Sequence, residues 1–333
     1  MIHIGDKIGL YRALNVSEAL TSQEIAEVTG TSERWVREWC ANQVAARIVE
    51  ADHANPQQPR YSLSLEARAV LADPDHPAFG MGMFHRLPAT MERLADLPEA
   101  FSSGVGFDYD AHGHEGAVGI ERSFEPWSNT FLLPVVLPAL HGVIEKLRSG
   151  AKVADIGCGA GSALLLMAKE FPNSTFVGYD ISQYALARAN EKASDLGLDN
   201  VRFVNPKNEA IANDHSIDFV TTFDCLHDMT RPQQMVQSIF EMLKIDGSWL
   251  LVEIKAMNTL AENVQKNPMA ALMYGISILS CMASALSEKD GEGLGTLGLS
   301  RERAQSFATS AGFTNFDVLD ITHSVNAFYE IRP

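Results

Sequence analysis

The fold is most constrained by one stretch, VADIGCGAGSALLLMAKEFPNSTFVGYD, residues 153–180. It contains an apolar run with Asp155, a glycine-spaced loop, a helix-like segment and a second apolar run that ends in Asp180. A strand, a glycine turn and a helix in this order are typical of a unit that holds a nucleotide. The stretch therefore predicts a nucleotide-derived ligand at the glycine loop.

Around this stretch, residues 150–333 alternate apolar strand-like runs with amphipathic segments. That alternation predicts an α/β domain with a doubly wound, mostly parallel sheet covered by helices on both faces. A chain of 333 residues has room for about two domains, so a second domain is expected before this one. The seven predicted strands are KVADIG, TFVGYD, VRFVNP, IDFVTTFD, SWLLVEI, FTNFDVLDI and NAFYEIRP.

The glycine loop differs from that of dinucleotide-binding enzymes. Gly157, Gly159 and Gly161 follow G-x-G-x-G spacing, whereas the dinucleotide fingerprint is G-x-G-x-x-G with a pyrophosphate on the helix N-terminus. Asp155 precedes the loop, and residues 153–168 contain no Lys or Arg. This loop disfavours a phosphate, and with it a dehydrogenase, and suits a cationic ligand such as S-adenosyl-L-methionine. Asp180 is placed to accept hydrogen bonds from ribose hydroxyls.

At these motifs the sequence resembles the class I S-adenosylmethionine-dependent methyltransferases, over about residues 120–333. The resemblance rests on VADIGCGAG, FVGYD, FDCLHDM and LKIDGSWLLVEI. It implies a Rossmann-like fold, S-adenosyl-L-methionine as cofactor, and cofactor contacts from nine residues. These are Asp155 near the ammonium, Gly157, Gly159 and Gly161 along the methionine part, Asp180 at the ribose, Asp224, Cys225 and Leu226 beneath the sulfonium, and Asn208 at the adenine.

The adenine contact is where the sequence departs from the family pattern. Members often have an acidic residue after the third strand, whereas this chain reads VNPKNEA. Asn208 or a backbone group is expected to serve instead, and Lys207 has no role in this interpretation.

The front of the chain shows a winged-helix pattern. LTSQEIAEVTG has a helix start signal and a closing glycine, and TSERWVREWCANQVAARIVE places Trp35, Val36, Trp39 and Val44 at helical spacing. Two strand-like runs then flank a polar, Pro-rich turn. The expected domains are a mainly helical winged-helix leader at 1–78, a helical connector bordering the acceptor pocket at 79–149, and the cofactor-binding domain at 150–333.

Charge argues against nucleic acid as the partner of this leader. Residues 1–80 contain seven Lys or Arg and eleven Asp or Glu, and the whole chain has a formal charge of −16. A negative surface repels a phosphate backbone. The leader resembles that of small-molecule methyltransferases, which implies a homodimer. A winged-helix transcription regulator that only senses the cofactor is the alternative function.

Composition also bears on location and metals. No apolar stretch approaches the ~20 residues of a membrane span, and the first residues lack a signal-peptide pattern, so we expect a cytoplasmic protein without a membrane partner. The spacing of the four cysteines fits neither a CxxC site nor a disulfide framework, and we expect reduced thiols and no metal.

His227 and Asp228 are the candidate catalytic residues. FDCLHDM places His227 just past the fourth strand of the domain, where a base could take a proton from the acceptor and Asp228 could orient the ring. Capping of the next helix, or packing against the cofactor, explains His227 equally well.

Five further residues are candidates for acceptor binding. Glu253 is a pocket wall, an acceptor contact or, equally, a partner of loop amides. His112, with His114, more often lies in a solvent-facing turn. Residues 256–298 are expected to form a lid with adaptable apolar side chains and glycine-rich ends. The predicted function is methyl transfer to an oxygen or sulfur atom of a small molecule. The acceptor-binding candidates are Trp127, His112, Glu253, Met273 and Tyr274.

Overall fold

The computed structural model describes residues 1–52 and 54–333, so His53, in the predicted turn of the leader, lies outside the described residues. The chain divides into two compact units. The first consists of residues 1–88 and 118–130, and the second of residues 89–117 and 131–333. Each unit thus consists of two separate segments of the chain. The predicted domain boundaries after residues 78 and 149 stay predictions.

The first unit has the predicted winged-helix elements. Thr21 and Glu24 form a capping box at the start of its third helix, and Gly30 ends that helix in a left-handed conformation. Three short antiparallel strands follow the order β1-β3-β2. The elements are α1 (Ile2–Lys7), α2 (Leu10–Ala13), β1 (Leu20–Thr21), α3 (Ser22–Thr29), α4 (Glu33–Ala45), β2 (Glu50–Asp52), β3 (Arg60–Ser62), α5 (Leu65–Leu71) and α6 (Met81–Glu92).

The apolar residues at helical spacing in α4 are not all buried. Val36 and Trp39 are buried, but Trp35 is 79% exposed. At 100° per residue, the buried face formed by Val36, Trp39, Cys40 and Gln43 is centred about 90° away from Trp35, which therefore lies at its edge. Helical spacing of apolar residues alone therefore does not predict that Trp35 is exposed.

Helical segments link this unit to the sheet. They are α7 (Leu97–Ser103), a 3-10 turn at Tyr109–His112, α8 (Gly113–Trp127), a π-helical stretch at Ser128–Val136, a 3-10 turn at Leu137–Ala139 and α9 (Val143–Ser149). Across the described ranges, no single helix is long and apolar enough to cross a membrane. One sharply bent pair of helical segments, Tyr109–Ala139 and Val143–Ser149, is together long and apolar enough by length and composition alone.

The second unit contains the predicted seven-stranded sheet, with strand order β6-β5-β4-β7-β8-β10-β9. The five neighbouring strands β6, β5, β4, β7 and β8 are parallel. Strand β10 runs antiparallel between β8 and β9. The elements are β4 (Lys152–Ile156), α10 (Ser162–Glu170), β5 (Thr175–Tyr179), α11 (Gln183–Asp195), β6 (Val201–Val204), β7 (Ile217–Phe223), α12 (Pro232–Met242), β8 (Leu243–Ile254), α13 (Leu260–Lys266), α14 (Ala270–Leu279), α15 (Cys281–Ala285), α16 (Arg301–Ala311), β9 (Asn315–Val318) and β10 (Asn326–Arg332).

Strand β8 begins five residues earlier than the predicted SWLLVEI. Leu243 already pairs with Ile217, and an irregularity in register separates this pair from the regular pairing that starts at Ser248. This irregularity is a β-bulge, and it allows the turn-like residues before Ser248 to belong to the strand. Since β4, β5, β7 and β8 are parallel, their carboxyl ends meet at one edge of the sheet, where doubly wound folds bind ligands.

Candidate active site

The loop after β4 has room for a ligand above its middle glycine. Gly157, Gly159 and Gly161 all have positive φ, between 55° and 75°. A Cβ on Gly157 would lie 2.7 Å from Cβ of Cys225, so this position needs glycine for close packing. A Cβ on Gly159 would meet nothing within 4 Å, which leaves open space at the centre of the loop.

Asp180, at the end of β5, holds this loop in place. The backbone N–H of Gly159 donates to its Oδ2, and the N–H of Ser182 donates to its Oδ1, each across 2.8 Å. Each carboxylate oxygen has a further lone pair for a ligand hydroxyl. Burial raises the pKa of Asp180. The role at the ribose stays a prediction, to which the structure adds a role in shaping the loop.

Asp155 is a buried carboxylate beside the same loop. It is 1% exposed, and its Oδ1 accepts a hydrogen bond of 2.7 Å from the Thr221 hydroxyl. Burial raises its pKa to about 7, although the Thr221 hydrogen bond opposes the rise. A cationic group nearby would favour the ionised form.

Asp224 follows β7 in a strained backbone conformation. Its φ is 47°, a region that non-glycine residues adopt rarely and that is common at functional sites. Its Oδ1 accepts a 2.5 Å hydrogen bond from Asn326 on β10. Burial, and then the negative charge of Glu253, raise the pKa of Asp224 to about 7.

His227 is positioned by Glu253 on β8. Both residues are almost completely buried. Glu253 Oε1 accepts from the backbone N–H groups of Leu226 at 3.0 Å and His227 at 3.3 Å, while Oε2 lies 2.7 Å from His227 Nδ1. Of the three alternatives for Glu253, the structure shows the contact with loop amides. The predicted ring-orienting contact thus comes from Glu253 and not from Asp228.

The other side of the His227 ring forms a hydrogen bond with Cys281 of α15. Because Nδ1 is taken by Glu253, Nε2 is the nitrogen left for this contact. Burial alone would lower the pKa of His227, but the negative charges of Glu253 and Cys281 outweigh it and raise the pKa well above its usual value.

Asp228 is held by the segment before α8. The Tyr109 hydroxyl donates to Asp228 Oδ2 across 2.7 Å. The next residue, Asp110, accepts a 2.5 Å hydrogen bond from the Ser182 hydroxyl at the start of α11. The 3-10 turn Tyr109–His112 therefore connects the ends of β5 and β7, the two strands that position Asp180 and His227.

The predicted lid segment 256–298 packs onto the 3-10 turn Leu226–Asp228, here called the His227 turn. Its glycine-rich end is bonded there, since Gly295 N–H donates to the His227 carbonyl at 3.1 Å and Glu292 N–H donates to that of Thr230 at 2.9 Å. Met273 and Tyr274 lie on α14, half-buried, and accept hydrogen bonds from Asn267 and Asn263 respectively.

The remaining candidates are dispersed. The expectation of a solvent-facing turn is wrong for His112, which is 6% exposed and packs against the rings of Phe107 and Tyr109. Asn208 is exposed, and Trp127 is buried at the end of α8 in the first unit. Their roles stay predictions.

Sequence reasoning missed five residues of this site: Tyr109, Asp110, Thr221, Cys281 and Asn326. Thr221 lies within the apolar run of β7 and carried a usable signal, since a hydroxyl inside a buried strand needs a partner. The others come from separate parts of the chain, and only folding brings them to the sheet edge.

The cleft suits the cofactor that the sequence predicts. Asp155 is buried, and Asp180 and Asp224 are half-buried, around a glycine loop with open space above it. A ligand with positive ammonium and sulfonium groups would compensate these charges, whereas a phosphate would add to them.

Comparison with known proteins agrees with this geometry. The family model described as "Methyltransferase domain" matches residues 147–312, and the one described as "Rv2258c-like winged HTH domain" matches residues 1–73. A tRNA (guanine-N(7)-)-methyltransferase from a Synechococcus strain is 50% identical over 85 residues, which are 26% of this chain and 36% of that protein. The chain spans less than half the length of this and two other curated relatives.

Two solved structures cover nearly the whole chain. A Nostoc punctiforme protein, provisionally assigned as an O-methyltransferase, has a TM-score of 0.73 at 18% identity and covers 100% of this chain and 94% of its own. Human N-acetylserotonin methyltransferase in complex with S-adenosylmethionine has a TM-score of 0.69 at 14% identity, with coverages of 99% and 92%. At these identities the structures show a shared fold. The two family models thus identify a methyltransferase domain that is preceded by a winged-helix domain, and both solved structures share the fold of the chain.

Proposed function

We propose that this protein transfers the methyl group of S-adenosyl-L-methionine to an oxygen or sulfur atom of a small-molecule acceptor. The observation that carries the proposal is the position of the buried His227–Glu253 pair at the same sheet edge as the glycine loop and its carboxylates. The provisional assignment of the Nostoc protein as an O-methyltransferase favours oxygen over sulfur.

The cofactor, when bound, supplies a methyl group activated by a positive sulfonium. Asp180 would hold the ribose, Asp155 would face the ammonium, and Asp224, Cys225 and Leu226 would border the methionine chain. Cys225 donates from Sγ to the Ile156 carbonyl across 3.1 Å, which fixes this wall to the end of β4.

The main contribution of the chain to methyl transfer is alignment of the acceptor. Holding two reacting atoms near 3 Å and in line contributes on the order of 7–11 kcal/mol. The enclosed position of the His227 turn, under the glycine-rich end of the lid segment, also excludes water.

His227 is the candidate for removing the acceptor proton. Its Nδ1 hydrogen bond to Glu253 stabilises a positively charged ring, which favours proton uptake at Nε2. Nε2 lies beside Cys281, so His227 takes a proton from an acceptor only after Cys281 moves away.

The experiment is a methylation assay with separate panels of hydroxyaryl and thiol acceptors, followed by mass spectrometry of S-adenosylhomocysteine and of the product. Asp180→Ala should weaken S-adenosylhomocysteine affinity at least about tenfold, because hydrogen bonds to a charged group contribute about 1.5–3 kcal/mol. His227→Ala should reduce turnover and leave that affinity nearly unchanged in calorimetry.

The exposed His114 provides the matched control. His114→Ala should change neither quantity. Failure of the parent protein to bind S-adenosylhomocysteine would overturn the proposed function. Stabilisation by the cofactor together with sequence-selective DNA binding, and no methylated product, would favour the cofactor-sensing regulator.

A further inference from the structure

Three side chains with different donor atoms converge at the His227 turn. His227 and Asp228 belong to the 3-10 turn after β7, and Cys281 is the first residue of α15. One ligand atom of each, a ring nitrogen, a carboxylate oxygen and Sγ, lies within 4.8 Å of the others. His227 and Cys281 are buried, and Asp228 is half-buried.

This donor set matches the preferences of zinc. Zn²⁺ binds His nitrogen, Cys sulfur and carboxylate oxygen at about 2.0–2.3 Å in a tetrahedral arrangement, which places the ligand atoms about 3.5 Å from each other. The separations in the structure exceed this by about 1.3 Å at most, a shift that side-chain rotation supplies.

The surrounding contacts are those of a supported metal site. A histidine that binds a metal usually donates its other ring N–H to a carboxylate, and His227 Nδ1 lies 2.7 Å from Glu253 Oε2. Ligating carboxylates are in turn hydrogen-bonded, and Asp228 Oδ2 accepts from the Tyr109 hydroxyl at 2.7 Å. The Tyr109 hydroxyl also lies 3.8 Å from Cys281 Sγ, so the same hydroxyl contacts two of the three side chains.

Local charge favours a cation at the same place. Asp224, Asp228 and Glu253 lie close enough to influence each other electrostatically around a single histidine. A doubly charged ion would offset these carboxylates and stabilise the Cys281 thiolate.

We propose that His227, Asp228 and Cys281 bind one Zn²⁺ ion, whose fourth position takes the oxygen or sulfur of the methyl acceptor. This inference rests on the proposed function and makes His227 a metal ligand, not a base. Coordination releases the acceptor proton to solvent. The acceptor lone pair then forms a bond to the methyl carbon, and the electron pair of the broken carbon–sulfur bond stays on the cofactor sulfur.

The first experiment titrates the full chain, stripped of metal under reducing conditions, with Zn²⁺ in competition with a chromophoric chelator. The parent should bind about one tight equivalent. Cys281→Ser and Asp228→Asn should lower the zinc affinity by more than tenfold. Tyr109→Phe, which removes the hydroxyl that contacts both Asp228 and Cys281, should lower it about tenfold.

The control is Cys40→Ser, because Cys40 is a buried thiol of the first unit and lies outside the site. Its zinc affinity should equal that of the parent. Binding of S-adenosylhomocysteine, measured for every variant by calorimetry, reports whether the cofactor domain remains folded.

Cobalt provides a second readout. The Co²⁺-loaded parent should show a thiolate-to-cobalt charge-transfer band that Cys281→Ser abolishes and Cys40→Ser retains. No tight zinc binding by the parent, or binding and a cobalt band that survive Cys281→Ser, would overturn the metal site. If S-adenosylhomocysteine still binds and methylation proceeds, the proposed function stands without it, whereas loss of cofactor binding by the parent overturns the proposed function itself.

Discussion

Asp155 shows how one residue ties stability to ligand charge. The chain buries this carboxylate next to a neutral hydroxyl, at a pKa of about 7. A carboxylate in water ionises near pH 4, so folding favours the protonated form of Asp155. At neutral pH, ionisation of the buried Asp155 therefore costs folding free energy. A cationic ligand at the loop would reduce this cost.

This cost predicts a pH-dependent stability. Because the pKa is raised on folding, the favourable contribution of Asp155 is complete below about pH 4 and is lost as pH rises to about 7. Over that window the free energy of unfolding should fall by up to about 1.4 kcal/mol per pH unit from this group. Asp155→Asn should remove the effect, as measured by denaturant unfolding at pH 5, 6, 7 and 8.

The pKa of Asp224 is also raised to about 7. The informative quantity is therefore the difference in free energy of unfolding between variant and parent at each pH. The stability advantage of Asp155→Asn should grow from pH 5 to pH 8, and its affinity for S-adenosylhomocysteine should be lower. A pH-independent difference would contradict the assignment of a raised pKa to Asp155.

Residue types at the loop were predictable from sequence, and some of their partners were not. The spacing of Gly157 and Gly159 and the flanking acids follow from the local requirements of a strand–turn–helix unit. The thiol next to His227 depends on where α15 packs, which no local pattern encodes. Cys281 was accordingly interpreted as an ordinary reduced thiol.

At the scale of elements, α15 packs directly against the segment before α8. Gly106 N–H donates to the Leu286 carbonyl at 2.8 Å, and Phe107 N–H donates to that of Ala283 at 3.1 Å. A Cβ on Gly106 would lie 2.2 Å from the Ala283 carbonyl oxygen, closer than any real contact. Glycine at this position is therefore a condition for placing Cys281 and Tyr109 on the same site.

Gly106→Ala should push α15 away from that segment. Overpacking of this kind costs about 1–3 kcal/mol, and the segments containing Tyr109 and Cys281 should exchange amide hydrogens faster. Turnover should fall while affinity for S-adenosylhomocysteine changes little. Gly275→Ala on α14, where a Cβ meets nothing within 4 Å, should leave exchange and turnover unchanged and stabilise the helix by about 0.5–1 kcal/mol.

Element boundaries were predictable where hydrophobic periodicity was clear. All seven strands of the sheet and both main helices of the winged-helix unit follow from sequence patterns. The start of β8 and the exposure of Trp35 do not, because a bulge and the choice of helix face are decided by tertiary packing.

At the scale of the whole molecule, charge argues against DNA as a partner. The formal charge is −16, and on α4 Arg34 pairs with Glu38 at 2.6 Å and Arg37 with Glu33 at 3.3 Å. Mixed-sequence duplex DNA should give no electrophoretic shift at physiological salt, since these pairs leave little charge for phosphates. A sequence-selective shift under those conditions would contradict this prediction.

The predicted homodimer is a separate question. A dimer of the 36.4 kDa chain should sediment at twice that mass in velocity experiments at micromolar concentration. The large exposed side chains Val28, Trp35 and Leu65 of the first unit offer apolar area for such an association. A single monomeric species would refute it.

Strand β10 enters the sheet between β8 and β9, and its first residue, Asn326, is the partner of Asp224. During synthesis the strands that carry the glycine loop leave the ribosome long before this residue does. The ligand cleft of the nascent polypeptide therefore stays incomplete until β10 has been synthesised, and β8 is an open edge of the sheet for that interval.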